Sequence, residues 1–212
     1  MVDFEEFELA YAPVPKAGST VVKTALATLG ETLPEADDPA WVHNHMPTRR
    51  FNSETFARSA DFWRFTVIRD PIERLLAVYT DLILGRDVLA YAADVRRGRI
   101  DMPTRPDPDF FFQNLDRYRA ASFAIKHHAM KQMVFTGPDL GAYDHIYDAG
   151  RLGEVVSDLS CMTGRRITLP APAQAVSHEP LKMRDLKPET RAIIRAEAAA
   201  DYEAFSGFLV AA

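Results

Sequence analysis

The chain has 212 residues, of which 47% are hydrophobic, so it is long enough for an α/β domain with a full core, and no shift in composition marks a second domain. Its formal net charge of -5 and its pI near 5.7 argue against a nucleic-acid-binding protein, which normally carries a basic balance or stripe. We therefore expect a single domain over residues 1–212, in which any anion site is local.

The cysteine content and the first residues indicate a cellular location. Cys161, the single cysteine of the sequence, excludes an internal disulfide framework and is compatible with a reducing compartment. The opening residues 1–6 are acidic where a signal peptide is basic, and no apolar run approaches the roughly 20 residues that span a bilayer. The sequence predicts a soluble, cytoplasmic protein without a membrane span and indicates no oligomeric state.

Strand-like and helix-like segments alternate along the chain. A short apolar run predicts a strand at 9–14, and apolar residues at helical spacing predict a helix at 19–29. Residues 31–50 carry three prolines and suggest a loop with a short extended piece. Further on, the pattern predicts strands at 63–68 and 143–147 and helices beginning at Asn52 and Asp70, at 87–97, over much of 109–135, at 152–162 and at 188–205. This alternation predicts an α/β fold with a mainly parallel sheet flanked by helices.

The first strand and helix are joined by Lys16-Ala-Gly-Ser-Thr20, which has the composition of an anion-binding turn. Backbone N–H groups at the helix start and a lysine converge there, and Gly18 permits close backbone approach. The lysine precedes the glycine, unlike the Gly-Lys-Ser/Thr order of ATP-binding loops, which disfavours ATP chemistry. By itself the turn fits a terminal phosphate or sulfate and an ordinary loop with a capping serine equally well.

A second turn has the same arrangement of strand, basic residue and helix, with an arginine in place of the lysine. Arg69 follows the strand at 63–68 and precedes a helix with Asp70 as cap and Pro71 at its first position. Its guanidinium could take a phosphate group bidentately, whereas a structural arginine would pair with Asp70 or Glu73. We favour the structural role for Arg74. Two such turns predict a ligand with phosphate-like groups at both ends.

In this order, the two turns resemble the nucleotide motifs of the sulfotransferases. Pro15-Lys-Ala-Gly-Ser-Thr20 is similar to their 5′-phosphosulfate loop, and Val67-Ile-Arg-Asp-Pro-Ile-Glu-Arg-Leu75 to their 3′-phosphate motif. The version is that of the carbohydrate enzymes of sulfotransferase family 2, such as heparan sulfate 2-O-sulfotransferase. The resemblance implies a three-layer, P-loop-like fold and transfer of a sulfuryl group from 3′-phosphoadenosine 5′-phosphosulfate (PAPS) to a hydroxyl of a small-molecule or oligosaccharide acceptor.

The resemblance also implies roles for individual residues. Lys16 would bind the 5′-phosphosulfate and stabilise charge on the bridging oxygen, and Arg69 would hold the 3′-phosphate. The 5′-phosphate would be held by the turn made of Lys16, Ala17, Gly18, Ser19 and Thr20. Positioning and charge neutralisation of this kind imply no metal.

A histidine pair supplies candidates for the base that activates the acceptor hydroxyl. His43 and His45 would share one face if the segment were extended. The resemblance places the base on His45, with His43 second. A zinc pair is the rival interpretation, although no third ligand lies nearby in sequence. The spacing from His128 to Gln132 resembles a family segment that lines the acceptor site, and the polar face of an amphipathic helix explains it as well.

One residue departs from the family pattern. Eight residues after Arg69, where the family usually has a serine that contacts the 3′-phosphate, this chain has Ala77. A lost neutral hydrogen bond costs about 0.5–1.5 kcal/mol, so donor binding would be weakened rather than abolished. Two alternatives to the enzyme therefore stay open: a non-catalytic nucleotide-binding module, which Ala77 favours, and an ATP-dependent small-molecule kinase on the same core.

Overall fold

A computed structural model describes residues 1–30, 39–99, 101–170 and 178–209. The strands are β1 (Val2–Phe4), β2 (Leu9–Ala12), β3 (Trp63–Ile68) and β4 (His145–Asp148). The α-helices are α1 (Ser19–Ala27), α2 (Pro39–His45), α3 (Ser53–Arg58), α4 (Pro71–Val78), α5 (Ala93–Arg96), α6 (Pro108–Gln113), α7 (Leu115–Ala121), α8 (Phe123–His128), α9 (Met133–Thr136), α10 (Leu152–Thr163) and α11 (Pro188–Ala204). A π-helical segment, Tyr79–Gly85, continues α4.

The four strands form one sheet in the order β1-β2-β3-β4. β2 pairs with β3 and β3 with β4 in parallel, and β1 pairs with β2 antiparallel. This mostly parallel sheet with flanking helices confirms the predicted α/β class. Strand β1 was not predicted, because the alternation of its three residues is too short to indicate a strand.

The chain divides into two compact units. The first draws on 1–69, 132–173 and 204–208 and contains the sheet with α1, α2, α3, α9 and α10. The second draws on 70–131 and 174–203 and contains α4 to α8 and nearly all of α11. The organisation of residues 1–212 as a single domain stays a prediction.

The core of the first unit lies between one face of the sheet and two helices. Leu9 and Tyr11 of β2 and Phe65 and Val67 of β3 are fully buried, as expected for alternate residues that share one face of a strand. They pack against buried side chains of α1 and α10, namely Val22, Leu26, Val155 and Leu159. This packing fixes the start of α1 at the end of β2.

The second unit has its own aromatic core. Phe111 and Phe112 of α6 and Tyr118 of α7 are buried against the π-helical segment that follows α4. The hydroxyls of Tyr79 and Tyr118 donate hydrogen bonds to the carbonyls of Pro106 and Pro103, at 2.9 and 3.0 Å. The segment 103–106 is therefore anchored by two tyrosine side chains.

The structure corrects one local prediction, because residues 39–45 form helix α2 instead of an extended piece. Pro39 occupies the first helical position, where a missing N–H is tolerated, and Pro47 follows the end of the helix. Val42 and Met46, four residues apart, are buried in a small cluster with Ala27 of α1. The prolines thus bound a helix rather than marking a loop. Residues 31–38 of the predicted loop lie outside the described residues.

Candidate functional site

The first anion turn has an unusual backbone. After β2 ends at Ala12, Lys16 adopts φ 65° and Gly18 adopts φ 75°, both in the left-handed region. For the lysine this conformation is strained, and such strain concentrates at functional sites. A side chain at Gly18 would also place its Cβ 2.8 Å from Cδ1 of Leu152. The turn therefore favours glycine at this position, because another residue would be strained at this φ.

Helix α1 begins immediately after this turn, with backbone N–H groups that its own hydrogen bonds leave unused. The first hydrogen bond of the helix runs from Val22 N to Gly18 O at 3.1 Å, so the N–H groups of Ser19 and Thr20 have no partner within the helix. The N-cap is Gly18, and among the described residues no side chain caps this end. The alternative of a capping serine is thus wrong, because Ser19 is already helical and is buried.

The second anion turn meets the first. Arg69 follows β3, which lies next to β2 in the parallel sheet, and its guanidinium Nη1 lies 3.5 Å from the carbonyl oxygen of Lys16. The arginine is half-buried. Ligand sites in parallel sheets lie beyond the carboxyl ends of the strands, and the two turns share that position.

The backbone of Arg69 is held by a side chain that the sequence analysis assigned elsewhere. Gln132 is fully buried; its Oε1 accepts from Arg69 N at 3.1 Å, and its Nε2 donates to Arg69 O at 2.8 Å. The resemblance of the His128-to-Gln132 spacing to a segment that lines an acceptor site stays a prediction. His128 is half-buried, and its Nδ1 lies 2.8 Å from Ala124 O within its own helix.

Helix α4 starts as the sequence predicts. The Asp70 carboxylate accepts from Glu73 N at 2.8 Å, with Pro71 at the first position. The hydroxyl of Tyr202, which the sequence analysis did not single out, donates a short hydrogen bond to the Asp70 carboxylate. Burial, together with this hydrogen bond, raises the pKa of Tyr202. Asp70 thus both caps the helix and binds a tyrosine from α11.

Arg74 is held by backbone carbonyl groups, and its predicted pairing with Asp70 or Glu73 stays a prediction. It is buried, and its guanidinium donates to the carbonyl oxygens of His128, at 2.8 Å, and Met130. Ala77, three residues further along α4, is half-buried.

The two histidines of α2 have different surroundings. His43 places Nε2 at 3.2 Å from the Thr20 hydroxyl in the first turn of α1. His45 stacks on Trp41 with ring centroids 4.0 Å apart, and its Nδ1 lies 2.9 Å from Trp41 O. Residues two apart on a helix point in nearly opposite directions, so the expectation that both imidazoles share one face is wrong.

A buried lysine on α1 was missed by the sequence analysis. Lys23 is fully buried, its Nζ donates to the Thr48 hydroxyl at 2.7 Å, and burial lowers the pKa of its amine to about 8. The sequence did contain a signal, because Lys23 lies four residues after Ser19 and one after Val22, on the inward side of the helix. The hydrogen bond links α1 to the segment that follows α2.

Within 1–30, 39–99, 101–170 and 178–209, no group of three or more His, Cys, Asp or Glu side chains is arranged to hold a metal ion. No helix in these same ranges is long and apolar enough to cross a membrane.

A comparison with known proteins identifies a family for the chain. A family model described as "Sulfotransferase family" matches residues 1–205, nearly the whole chain. No curated protein and no solved structure matches the chain. The match covers both turns and both compact units, and enzymes of this family generally take the sulfuryl group from PAPS. The chain therefore belongs to the sulfotransferase family and is a sulfotransferase.

Proposed function

We propose that this enzyme transfers the sulfuryl group of PAPS to a hydroxyl group of a carbohydrate acceptor. The observation that carries the proposal is the contact between the Arg69 guanidinium and the Lys16 carbonyl, because it joins the two anion turns. PAPS carries anionic groups at its 5′ and 3′ ends. Two cationic turns at neighbouring strand ends suit such a ligand, and the carbohydrate acceptor is proposed from the resemblance of the motifs.

The first turn would hold the 5′-phosphosulfate. The N–H groups of Ser19 and Thr20 precede the first helical hydrogen bond, and the positive end of the α1 dipole favours an anion there. Gly18 permits the close approach of the backbone. The Lys16 ammonium would stabilise the charge that develops on the bridging oxygen as the sulfur–oxygen bond breaks.

Arg69 would bind the 3′-phosphate. A guanidinium offers two parallel N–H donors to a phosphate group, and a half-buried position strengthens such a pair relative to a fully hydrated one. This role predicts that Arg69 discriminates nucleotides that carry a 3′-phosphate from those that lack it.

The base in this proposal is His45. A carbonyl oxygen can only accept a hydrogen bond, so the contact with Trp41 O assigns the proton of the neutral imidazole to Nδ1 and leaves Nε2 basic. Nε2 would take the proton of the acceptor hydroxyl while the hydroxyl oxygen bonds to sulfur. The bond between sulfur and the bridging oxygen would break, and its electrons would remain on the departing nucleotide. His43 is the second candidate, since its ring contacts Thr20.

Calorimetric titration with adenosine 3′,5′-bisphosphate, AMP and ATP with magnesium tests the donor site. We expect selective binding of the bisphosphate, and an Arg69→Ala variant should lose affinity for it while keeping its affinity for AMP. A preference for ATP would instead support a kinase. Incubation with PAPS and a panel of oligosaccharides then tests transfer, and binding without any product would favour a nucleotide-binding module.

A further inference from the structure

The ladders that pair strand β3 with its two neighbours end just before Arg69. The β2–β3 ladder ends with Ala12 opposite Thr66, and the β3–β4 ladder ends with Ile68 opposite Asp148. Arg69 therefore lies one residue beyond the last paired position. Beyond the ladder, the backbone N–H and C=O groups of Arg69 need another hydrogen-bond partner.

The side chain of Gln132 supplies that partner. Its amide accepts from Arg69 N at 3.1 Å and donates to Arg69 O at 2.8 Å, so one planar group binds both polar backbone atoms of the residue. A neighbouring strand would offer the same pair of donor and acceptor. The primary amide of Gln presents a carbonyl acceptor and an N–H donor on one rigid plane.

The amide is itself anchored. Gln132 has no solvent exposure, and buried polar groups that satisfy each other are costly to separate. The backbone carbonyl oxygen of Gln132 accepts from Phe135 N at 2.8 Å and from Thr136 N at 3.1 Å. These bonds fix the backbone of Gln132 at the start of α9. The position of Arg69 is thus set by a short helix outside the two anion turns.

We infer that Gln132 is a positioning residue, which does not touch the nucleotide but holds Arg69 where its guanidinium meets the Lys16 turn and takes the 3′-phosphate. The inference rests on the proposed role of Arg69. It predicts that Gln132 controls discrimination between nucleotides with and without a 3′-phosphate, whereas a merely structural residue would affect both nucleotides alike.

The test measures the ratio of the affinities for adenosine 3′,5′-bisphosphate and AMP by calorimetry. Gln132→Met keeps much of the side-chain volume and removes both hydrogen bonds. We expect it to lower the affinity for the bisphosphate about tenfold, the effect of losing roughly one well-placed interaction, and to change the affinity for AMP less than twofold. Thr136→Val is the matched control, because Thr136 is equally buried on α9 and its hydroxyl donates to the carbonyls of Gln132 and Gly137, not to Arg69.

A second variant keeps the inference testable if Gln132→Met does not fold. In Gln132→Glu, the introduced carboxyl group has one donor and one acceptor only when it is protonated, and burial favours that form. We expect the affinity ratio, relative to wild type at each pH, to recover as the pH falls from 8 to about 5.5. A ratio that stays below the wild-type value by the same factor from pH 8 down to about pH 5.5 would overturn the inference.

The outcomes separate this inference from the proposed function. If Arg69→Ala lowers the ratio but Gln132→Met leaves it unchanged, Gln132 does not position Arg69 and the inference is wrong. If Gln132→Met and Thr136→Val lower both affinities equally, the role of Gln132 is structural only. If wild type and Arg69→Ala show the same ratio, the assignment of Arg69 to the 3′-phosphate fails, and the inference fails with it.

Discussion

The hydroxyl of Thr20 lies 3.2 Å from Nε2 of His43, so the first turn of α1 and the histidine-bearing helix α2 are in direct contact. The same hydroxyl belongs to the turn that we assign to the 5′-phosphate. A bound phosphate and the imidazole would therefore share one hydroxyl group, and nucleotide binding would be coupled to the state of His43.

This coupling can be measured with a double-mutant cycle on bisphosphate affinity. Thr20→Val removes the hydroxyl at nearly constant shape, and we expect a loss of about two- to tenfold, the range for one neutral hydrogen bond. Combined with His43→Ala, the two effects should not add, because residues in contact share their interaction energy. Thr24→Val is the control, since that hydroxyl donates to Thr20 O within its own helix. Additive effects would show that the contact does not persist in the complex.

Substitution of each histidine is expected to affect a different kinetic parameter. His45→Ala should lower kcat by about 10²–10⁴, the usual contribution of a general base, with bisphosphate affinity unchanged. His43→Ala should change affinity more than kcat, because its ring contacts the nucleotide turn. The measurement is initial rate against PAPS concentration for each variant. The reverse pattern would transfer the role of base to His43.

The strained backbone at Lys16 predicts a conflict between stability and activity. Lys16→Ala and Lys16→Gly both remove the ammonium and should both abolish transfer. At φ 65°, however, glycine is unstrained. The free energy of unfolding of Lys16→Gly should therefore be about 1 kcal/mol higher than that of Lys16→Ala.

Urea denaturation measures this difference. Ala17→Gly provides the control, because Ala17 is fully buried and is not among the positive-φ residues of the described chain. There the introduced glycine should destabilise the protein. Equal stability of the two Lys16 variants would mean that the turn relaxes once the lysine side chain is removed.

Local signals in the sequence were sufficient for much of the fold. The strand at 63–68 and the helix after Asp70 were predicted with nearly their observed bounds, because a continuous apolar run and a capping Asp-Pro pair act within a few residues. The lysine and arginine turns were found for the same reason. Their meeting at the ends of neighbouring strands follows from the parallel pairing of β2 with β3.

The features that were not predicted depend on contacts between residues that are distant in the sequence. Helix α2 was missed because its prolines resemble loop residues until Val42 and Met46 are seen to pack near Ala27. Gln132 lies 63 positions from Arg69, and nothing in the spacing of a single glutamine indicates a backbone partner that far away. The expectation that His43 and His45 share one face was wrong for the same reason, because it assumed an extended segment where the chain forms a helix.

Lys23 gives the last prediction, which concerns pH. Burial lowers the pKa of its amine to about 8 in the folded protein, whereas the pKa of a lysine in the unfolded chain is about 10.4. Between these values the unfolded chain binds a proton that the folded chain lacks, so the contribution of Lys23 to the free energy of unfolding rises with pH. Below pH 8 the lysine is charged in both states, and the cost of burying that charge is present in full.

A comparison of wild type with Lys23→Met isolates this effect from other titrating groups. The variant should have its greatest advantage in stability, relative to wild type, below pH 8, and the advantage should shrink as the pH rises toward 10. Urea denaturation at several pH values between 7 and 9.5 measures it. Thr48→Val, which removes the hydroxyl partner but keeps the amine, should retain the wild-type pH slope. A difference between wild type and Lys23→Met that stays flat over this range would mean that the folded protein keeps the amine charged, and the hydrogen bond to Thr48 would then be a charge-assisted one.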